Sequence, residues 1–204
     1  MSEVDPRVGA FHARCAEYRA LGHDRVAAAH FVVEGAGALS GPALDVGTGK
    51  GLLAMALARR AGHVVSVDID SEEQALARLL AEEAGLERRI SFVQADAAHL
   101  PYPDGHFGCV AMMDVLHHLT DPGPVLGEMG RLVGPGGIVV IADFDEHGFE
   151  LVSRVHGAEG RVHPRSTATV EAALRQMVRA GFEETLRRTG QLHELLVLTR
   201  PDPP

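Results

Sequence analysis

The chain has 204 residues, of which 46% are hydrophobic and 23% charged, values that suit one domain with one sizeable core. A formal charge of −9 argues against a nucleic-acid surface, because phosphate contacts need clustered Lys and Arg. Arg175, Arg179, Arg187 and Arg188 do gather, but Glu171, Glu183 and Glu184 are interleaved among them, as on a solvated mixed-charge face. Cys15 and Cys109 make neither a metal motif nor a disulfide framework, and Cys109 sits in an apolar run as a small core residue. The opening segment from Met1 to Pro6 lacks a signal-peptide pattern, and no uncharged apolar run reaches membrane-spanning length. The expectation is a cytoplasmic protein without membrane or nucleic-acid partners.

Residues from about Phe11 to Leu39 read as two Ala-rich helices broken at Leu21-Gly22-His23, and Ser40-Gly41-Pro42 is a breaker. Strand and helix then alternate. Ala43 to Val46 is a short apolar strand, and Leu52 to Arg60 a helix. Val64 to Val67 is a second strand, and Ser71 with Gln74 forms a capping-box pattern that opens a helix closed by Gly85. Ile90 to Gln94 and Cys109 to Met113 are further strands. A helix from about Pro124 to Leu132 stops at Gly134-Pro135-Gly136-Gly137, and Ile138 to Phe144 is the next strand. The stretch from Asp145 to Pro164 is expected to be irregular. A helix from about Thr167 to Ala180 follows, then a hairpin of Phe182 to Arg188 and His193 to Thr199 turning at Thr189-Gly190-Gln191. This order implies an α/β fold with a parallel sheet, an antiparallel C-terminal edge and helices on both faces.

In such a sheet ligands bind beyond the carboxyl ends of the strands, near the point where strand order reverses. The turn Asp45-Val46-Gly47-Thr48-Gly49-Lys50-Gly51 follows the first strand. It is not a phosphate-binding P-loop, because Lys50 precedes Gly51 and position 44 is Leu. Nor is it the dinucleotide fingerprint, because position 52 is Leu. What stands is G-x-G-x-G with an acidic residue at the strand end. Asp68 ends the second strand, where a carboxylate can accept from both hydroxyls of a ribose.

The glycine turn resembles the first motif of class I S-adenosylmethionine-dependent methyltransferases. Further segments resemble that family in order: Gln94-Ala95-Asp96-Ala97, the loop from Leu100 to Phe107, Met113 to Leu119, and Leu132 to Gly137. Together they cover about residues 42–144 and are most similar to the small-molecule group that includes the ubiquinone and menaquinone enzymes. The resemblance implies a Rossmann-like fold and S-adenosylmethionine as cofactor. It also implies cofactor contacts from Asp45, Val46, Gly47, Thr48, Gly49, Gly51, Asp68, Ile69, Asp96, Ala97 and Asp114. In the family the turn takes the methionine portion, the acidic residue before it the amino end, and an acidic residue after the third strand the adenine.

The expected organisation is a single methyltransferase domain over 1–204. A helical lid spans 1–40, a cofactor-binding core 41–144, and a substrate-proximal stretch with the terminal hairpin 145–204. Methyl transfer from a sulfonium needs chiefly alignment and a dry pocket, and an acid or base only where the acceptor is protonated. Asp114 and His117 are the candidate catalytic groups. His117 and His118 are neighbours, which on a helix point about 100° apart and cannot both face one ligand. Tyr18 in the lid, His118, Asp143, Asp145 and His147 are candidate acceptor contacts. If the chain stays extended, the last three project to one side and form a possible three-ligand metal set, to which His156 and His163 could add, although the preferred reading has no metal. His12, His23, His30, His63, His99, His106 and His193 share no spacing and read as incidental.

The expected activity is methyl transfer to a small molecule by a monomer or homodimer. A catalytically silent cofactor-binding regulator and a nucleic-acid methyltransferase are the alternatives. The acceptor and its receiving atom are not identified.

Overall fold

Seven strands form one sheet in the order β3-β2-β1-β4-β5-β7-β6, seen in a computed structural model that describes residues 5–160 and 166–202. The parallel part comprises β1 (Ala43–Val46), β2 (Val64–Asp68), β3 (Ile90–Gln94), β4 (Phe107–Met113) and β5 (Val133–Phe144). The antiparallel edge is β6 (Glu183–Gly190) and β7 (His193–Thr199), with β7 paired to β5. Strand order reverses between β1 and β4, so their carboxyl ends open the crevice that a ligand can enter.

Side chains alternating along the strands feed two cores. One face carries Ala43, Val64, Cys109, Ala111, Val140 and Val197 against α2 (Arg25–Gly35) and α3 (Leu52–Ala58). The other carries the larger Leu44, Val67, Val110, Met112 and Ile141 against α5 (Gly123–Leu132) and α7 (Val170–Arg179). Small side chains on the first face let α3 lie close to the sheet. On the second face each buried Leu or Met contributes about 2 kcal/mol of transfer energy. Cys109 lies in the first core, and burial pushes its thiol up to about 12. The helix α4 (Ser71–Glu83) meets α1 (Pro6–Ala20) through Val8, Phe11, Leu76 and Leu80. Among the described residues no helix is long and apolar enough to cross a membrane.

Several boundaries differ from the sequence-based expectation, each for a packing reason. The stretch after β5 is not irregular: α6 (Glu146–Ala158) occupies it, and Asp145 caps the helix by accepting from the Gly148 N–H at 2.9 Å. Gly148 does not break that helix. A Cβ there would lie 2.4 Å from the Leu192 carbonyl oxygen, so glycine permits the helix to dock on the hairpin. The segment Gly134–Gly137 belongs to β5, kept on the sheet by the Arg200 N–H donating to the Gly137 carbonyl at 2.9 Å. The hairpin turns at Gln191 and Leu192, both left-handed at φ 53° and 63°, as a two-residue turn requires. Gly190 instead makes room for the Phe31 ring, which a Cβ would meet at 2.6 Å. Asp70, not Ser71, caps α4, with its Oδ1 accepting from the Glu72 and Glu73 N–H groups.

Candidate active site

A cavity of about 510 Å³ opens at the carboxyl ends of β1 and β4. Its floor is the glycine turn, where Gly47 and Gly49 adopt φ of 80° and 46°. At Gly47 a Cβ would fall 2.2 Å from the Val115 side chain, whereas at Gly49 nothing lies within 4 Å. The turn is thus closed behind and open in front, the geometry for close approach of a ligand to backbone. Gly51, at φ 76°, caps α3.

Beneath the turn a chain of donors converges on Asp45. The Gln74 amide donates to the Thr48 hydroxyl at 3.2 Å, Thr48 Oγ1 lies 2.7 Å from Ser66 Oγ, and the Ser66 hydroxyl donates to Asp45 Oδ2 at 2.7 Å. Gln74 also reaches the carbonyls of Ser66 and Val93, so this buried amide ties α4 to β2 and β3. That role, and not a capping box, explains Gln74. Burial raises the Asp45 carboxyl to about 7, with Ser66 opposing the shift. Its second oxygen, Oδ1, is buried without a hydrogen-bond partner. A buried, half-satisfied carboxylate costs stability unless a cationic group completes it.

Along the same sheet edge, Asp68 Oδ2 accepts from the Gly49 N–H at 2.8 Å and Oδ1 from the Asp70 N–H at 2.9 Å. Ile69 beside it is 73% exposed, although its side chain is wholly apolar. Asp96 stands exposed at the end of β3 with its Oδ1 on the Ala98 N–H at 2.9 Å, and Ala97 is half-buried next to it. Val46 is buried in the second core.

The far wall is made of rings and charges. Tyr18, His23, Met113, Asp114, His117, His118, Phe144, Val152 and His156 line it, with Arg14 and Arg25 from the N-terminal helices. Leu116–His118 is a single 3-10 turn, the His117 and His118 ring centroids lie 4.0 Å apart, and both residues line the cavity. This corrects the expectation that the two could not both face one site, since a cavity this wide takes side chains from more than one direction. Asp143 is buried and fixes His117: its Oδ1 lies 2.6 Å from His117 Nδ1 and its Oδ2 accepts the His117 backbone N–H at 2.8 Å. Asp143 therefore sets the His117 ring without lining the cavity itself.

Asp145 is spent on its cap and His147 is exposed on α6, so Asp143, Asp145 and His147 do not share a side. No group of three or more metal-ligating side chains assembles among the described residues. His163 lies outside the described residues. Burial lowers His118, with the neighbouring His117 adding to the effect.

Two residues read as incidental belong to this region: His23 lines the cavity and His193 lies buried behind Asp114. His193 Nε2 lies 2.8 Å from Asp114 Oδ1, and its Nδ1 is 2.7 Å from the Gln191 carbonyl oxygen. The ring of His23, also buried, lies 5.7 Å from the His193 ring, tilted by 36°. No local spacing could have shown the first pair, whose members lie 79 residues apart. Arg25, Arg14, Lys50 and Glu73 were likewise absent from the expected set. The Lys50–Glu73 pair at 2.6 Å lines the cavity, and only the place of Lys50 within the glycine turn hinted at a site role. The Arg25 guanidinium lies 5.6 Å from the Tyr18 ring and 5.8 Å from the Phe11 ring, and it forms no ion pair with a described carboxylate.

A parallel sheet with this strand order, a glycine turn after β1, and carboxylates at or near the ends of β1, β2 and β3 have the architecture of a class I S-adenosylmethionine-dependent methyltransferase domain. Residues 44–141 match the family model for a methyltransferase domain, and that stretch belongs to the family. A demethylmenaquinone methyltransferase of Thermus thermophilus is 41% identical over 118 residues, covering 55% of this chain and 53% of that protein. An S-adenosylmethionine-dependent methyltransferase of Aquifex aeolicus has the same fold, with a TM-score of 0.66, 19% identity and coverage of 84% and 89%. So has the [4+2]-cyclase SpnF, with a TM-score of 0.69, 21% identity and coverage of 87% and 82%. The chain spans about half the length of the curated relatives it matches.

Proposed function

We propose that this chain binds S-adenosylmethionine and transfers its methyl group to a small-molecule acceptor. The observation that carries this reading is the glycine turn, closed behind by Val115 and open in front at Gly49, with the orphaned Asp45 Oδ1 beneath it. The donor set fits each part of the cofactor. Asp45 supplies a carboxylate for the amino end, and Arg25, close to the Tyr18 and Phe11 rings, a cation for the carboxylate end. Asp68 keeps acceptor capacity for ribose hydroxyls beyond its two backbone bonds. Ile69 offers an exposed apolar surface for the adenine face, and Asp96 and Ala97 its edge.

When bound, S-adenosylmethionine supplies a methyl group on a positively charged sulfur. The chain's task is then alignment and exclusion of water. Asp114 and His117 face the acceptor end. With Nδ1 on a carboxylate, His117 carries its proton there, and Asp143 orients the ring as a base requires. Tyr18 and His118 complete the acceptor walls, while Asp143 and Asp145 act from behind, through His117 and through α6. The N-terminal helices serve as the lid. The ring-lined walls suit a planar acceptor, in keeping with the quinone named in the Thermus thermophilus relative. A cavity of about 510 Å³, part of it given to the cofactor, suits a small one.

Calorimetry with S-adenosylhomocysteine tests the binding. The expected result is saturable one-to-one binding that Asp68→Ala weakens by about 100-fold, as loss of charge-assisted hydrogen bonds predicts. No binding, or full binding in the variant, would overturn it. Transfer of label from methyl-labelled cofactor to a panel of phenolic and quinol acceptors tests the second half.

A further inference from the structure

His193 is wholly buried, yet both of its ring nitrogens face oxygen acceptors. A backbone carbonyl can only accept, so Nδ1 carries a hydrogen toward Gln191. An ionised carboxylate can also only accept, so Nε2 carries one toward Asp114 Oδ1. The ring is satisfied at both ends only as an imidazolium. The alternative, a protonated Asp114 donating to a bare Nε2, is disfavoured by the setting of Asp114. That side chain is 29% exposed at the cavity wall, and against the opposing effect of burial the charge and hydrogen bond of His193, with His117 and Arg25 adding to them, hold it below the usual carboxylate range. His193 is correspondingly raised by Asp114, against its own burial, with further help from the Gln191 carbonyl and Asp143.

Asp114 needs such a hold. Its φ is 60°, a left-handed conformation that a non-glycine residue keeps only when its surroundings impose it. The backbone is fixed from one side, where the Asp114 N–H donates to the Ala142 carbonyl at 3.1 Å. The side chain is fixed from the other by His193. His23, whose ring lies 5.7 Å from that of His193, is pushed down to about 4 by burial and by the His193 charge, so it stays neutral beside its charged neighbour.

We propose that His193 is a positioning residue: as an imidazolium anchored on the hairpin turn, it holds the Asp114 carboxylate in its left-handed pose at the cavity wall. The role in ligand binding rests on the cofactor reading above, whereas the charge state of His193 does not. The ion pair gives the wall a fixed dipole in place of a net negative charge, and it orients Asp114 for the bound molecule.

The first test is nitrogen-15 NMR of the histidine rings in the ligand-free full chain at about pH 7.5, one unit above the ordinary histidine value. The expected His193 pattern has both nitrogens protonated, while His23 shows a neutral ring. A His193 ring with one bare nitrogen overturns the proposal, whatever the cofactor does. The second test is calorimetry with S-adenosylhomocysteine on Asp114→Asn, His193→Gln and the double variant. Each single change is expected to weaken binding about tenfold and the double change by no more than either, since the two groups act as one unit. Additive losses, near 100-fold in the double variant, overturn the coupling. If the unmodified chain binds no S-adenosylhomocysteine, the cofactor reading falls, and the NMR result alone decides the state of His193.

Discussion

The two ends of the cavity are built differently. The glycine-turn end is assembled from short connections: β1, the turn, β2 and the first turn of α4, joined by the Gln74–Thr48–Ser66–Asp45 chain. The ring-lined end is assembled from distant pieces, with Tyr18 and His23 from the N-terminal helices, Asp114 and His117 after β4, Asp143 from β5 and His193 from β7. The first end uses backbone shape and a mostly neutral network. The second uses carboxylate–imidazole pairs. On the proposed function, a nucleotide-like ligand meets the local frame, and the acceptor meets side chains that the whole fold must bring together.

Breaking the frame should have the largest effect. Gly47→Val places a branched side chain against Val115 at a positive φ, and should cost about 3 kcal/mol of stability and abolish S-adenosylhomocysteine binding, read by thermal unfolding and calorimetry. At the other end, Asp143→Asn replaces an acceptor of the His117 N–H, the His117 ring and the Phe144 N–H by a group that can serve only part of them. It should lower stability by about 2 kcal/mol and slow methyl transfer while leaving S-adenosylhomocysteine affinity within about threefold.

Asp45→Asn sharpens the comparison through pH. The folded carboxyl is raised to about 7, so between about pH 4 and 7 the unfolded chain has lost a proton that the folded chain keeps. Stability of the ligand-free protein should therefore fall as pH rises through this window and level off above it. Asn should remove that slope and raise stability at pH 8 by about 1 kcal/mol, measured by urea unfolding at several pH values. The smallest effect belongs to the surface. Arg187→Ala breaks exposed pairs with Glu171 and Glu194, and should shift stability by less than about 1 kcal/mol and leave binding unchanged.

The same contrast governs how much could be read from sequence. β1, β3 and β7 lie where their apolar runs end, and Gly47, Gly49, Asp68 and Asp96 stand at the predicted edge, because period and turn chemistry are local signals. α6 was hidden because a glycine in its first turn, Gly148, reads against a helix until the close approach of the Leu192 carbonyl to it is seen. Gly190 drew the hairpin turn one residue early for a similar reason, being there for Phe31. The pairs His117–Asp143 and His193–Asp114 had no local signature, since their spacing is set by which strands become neighbours in the sheet. Only tertiary structure separates His23 and His193 from the histidines that remain scattered.

The bond between Asp114 and His193 also bears on the order in which the molecule can be completed. The chain leaves the ribosome N-terminus first, so the glycine turn and β1 to β4 are available well before β7 exists. Until the last strand pairs with β5, Asp114 has no imidazole to hold it and the wall is unfinished. A nascent or C-terminally clipped chain would carry the glycine turn and its network while lacking the imidazole that holds Asp114, so on the proposed function competence for chemistry arrives only with the final hairpin.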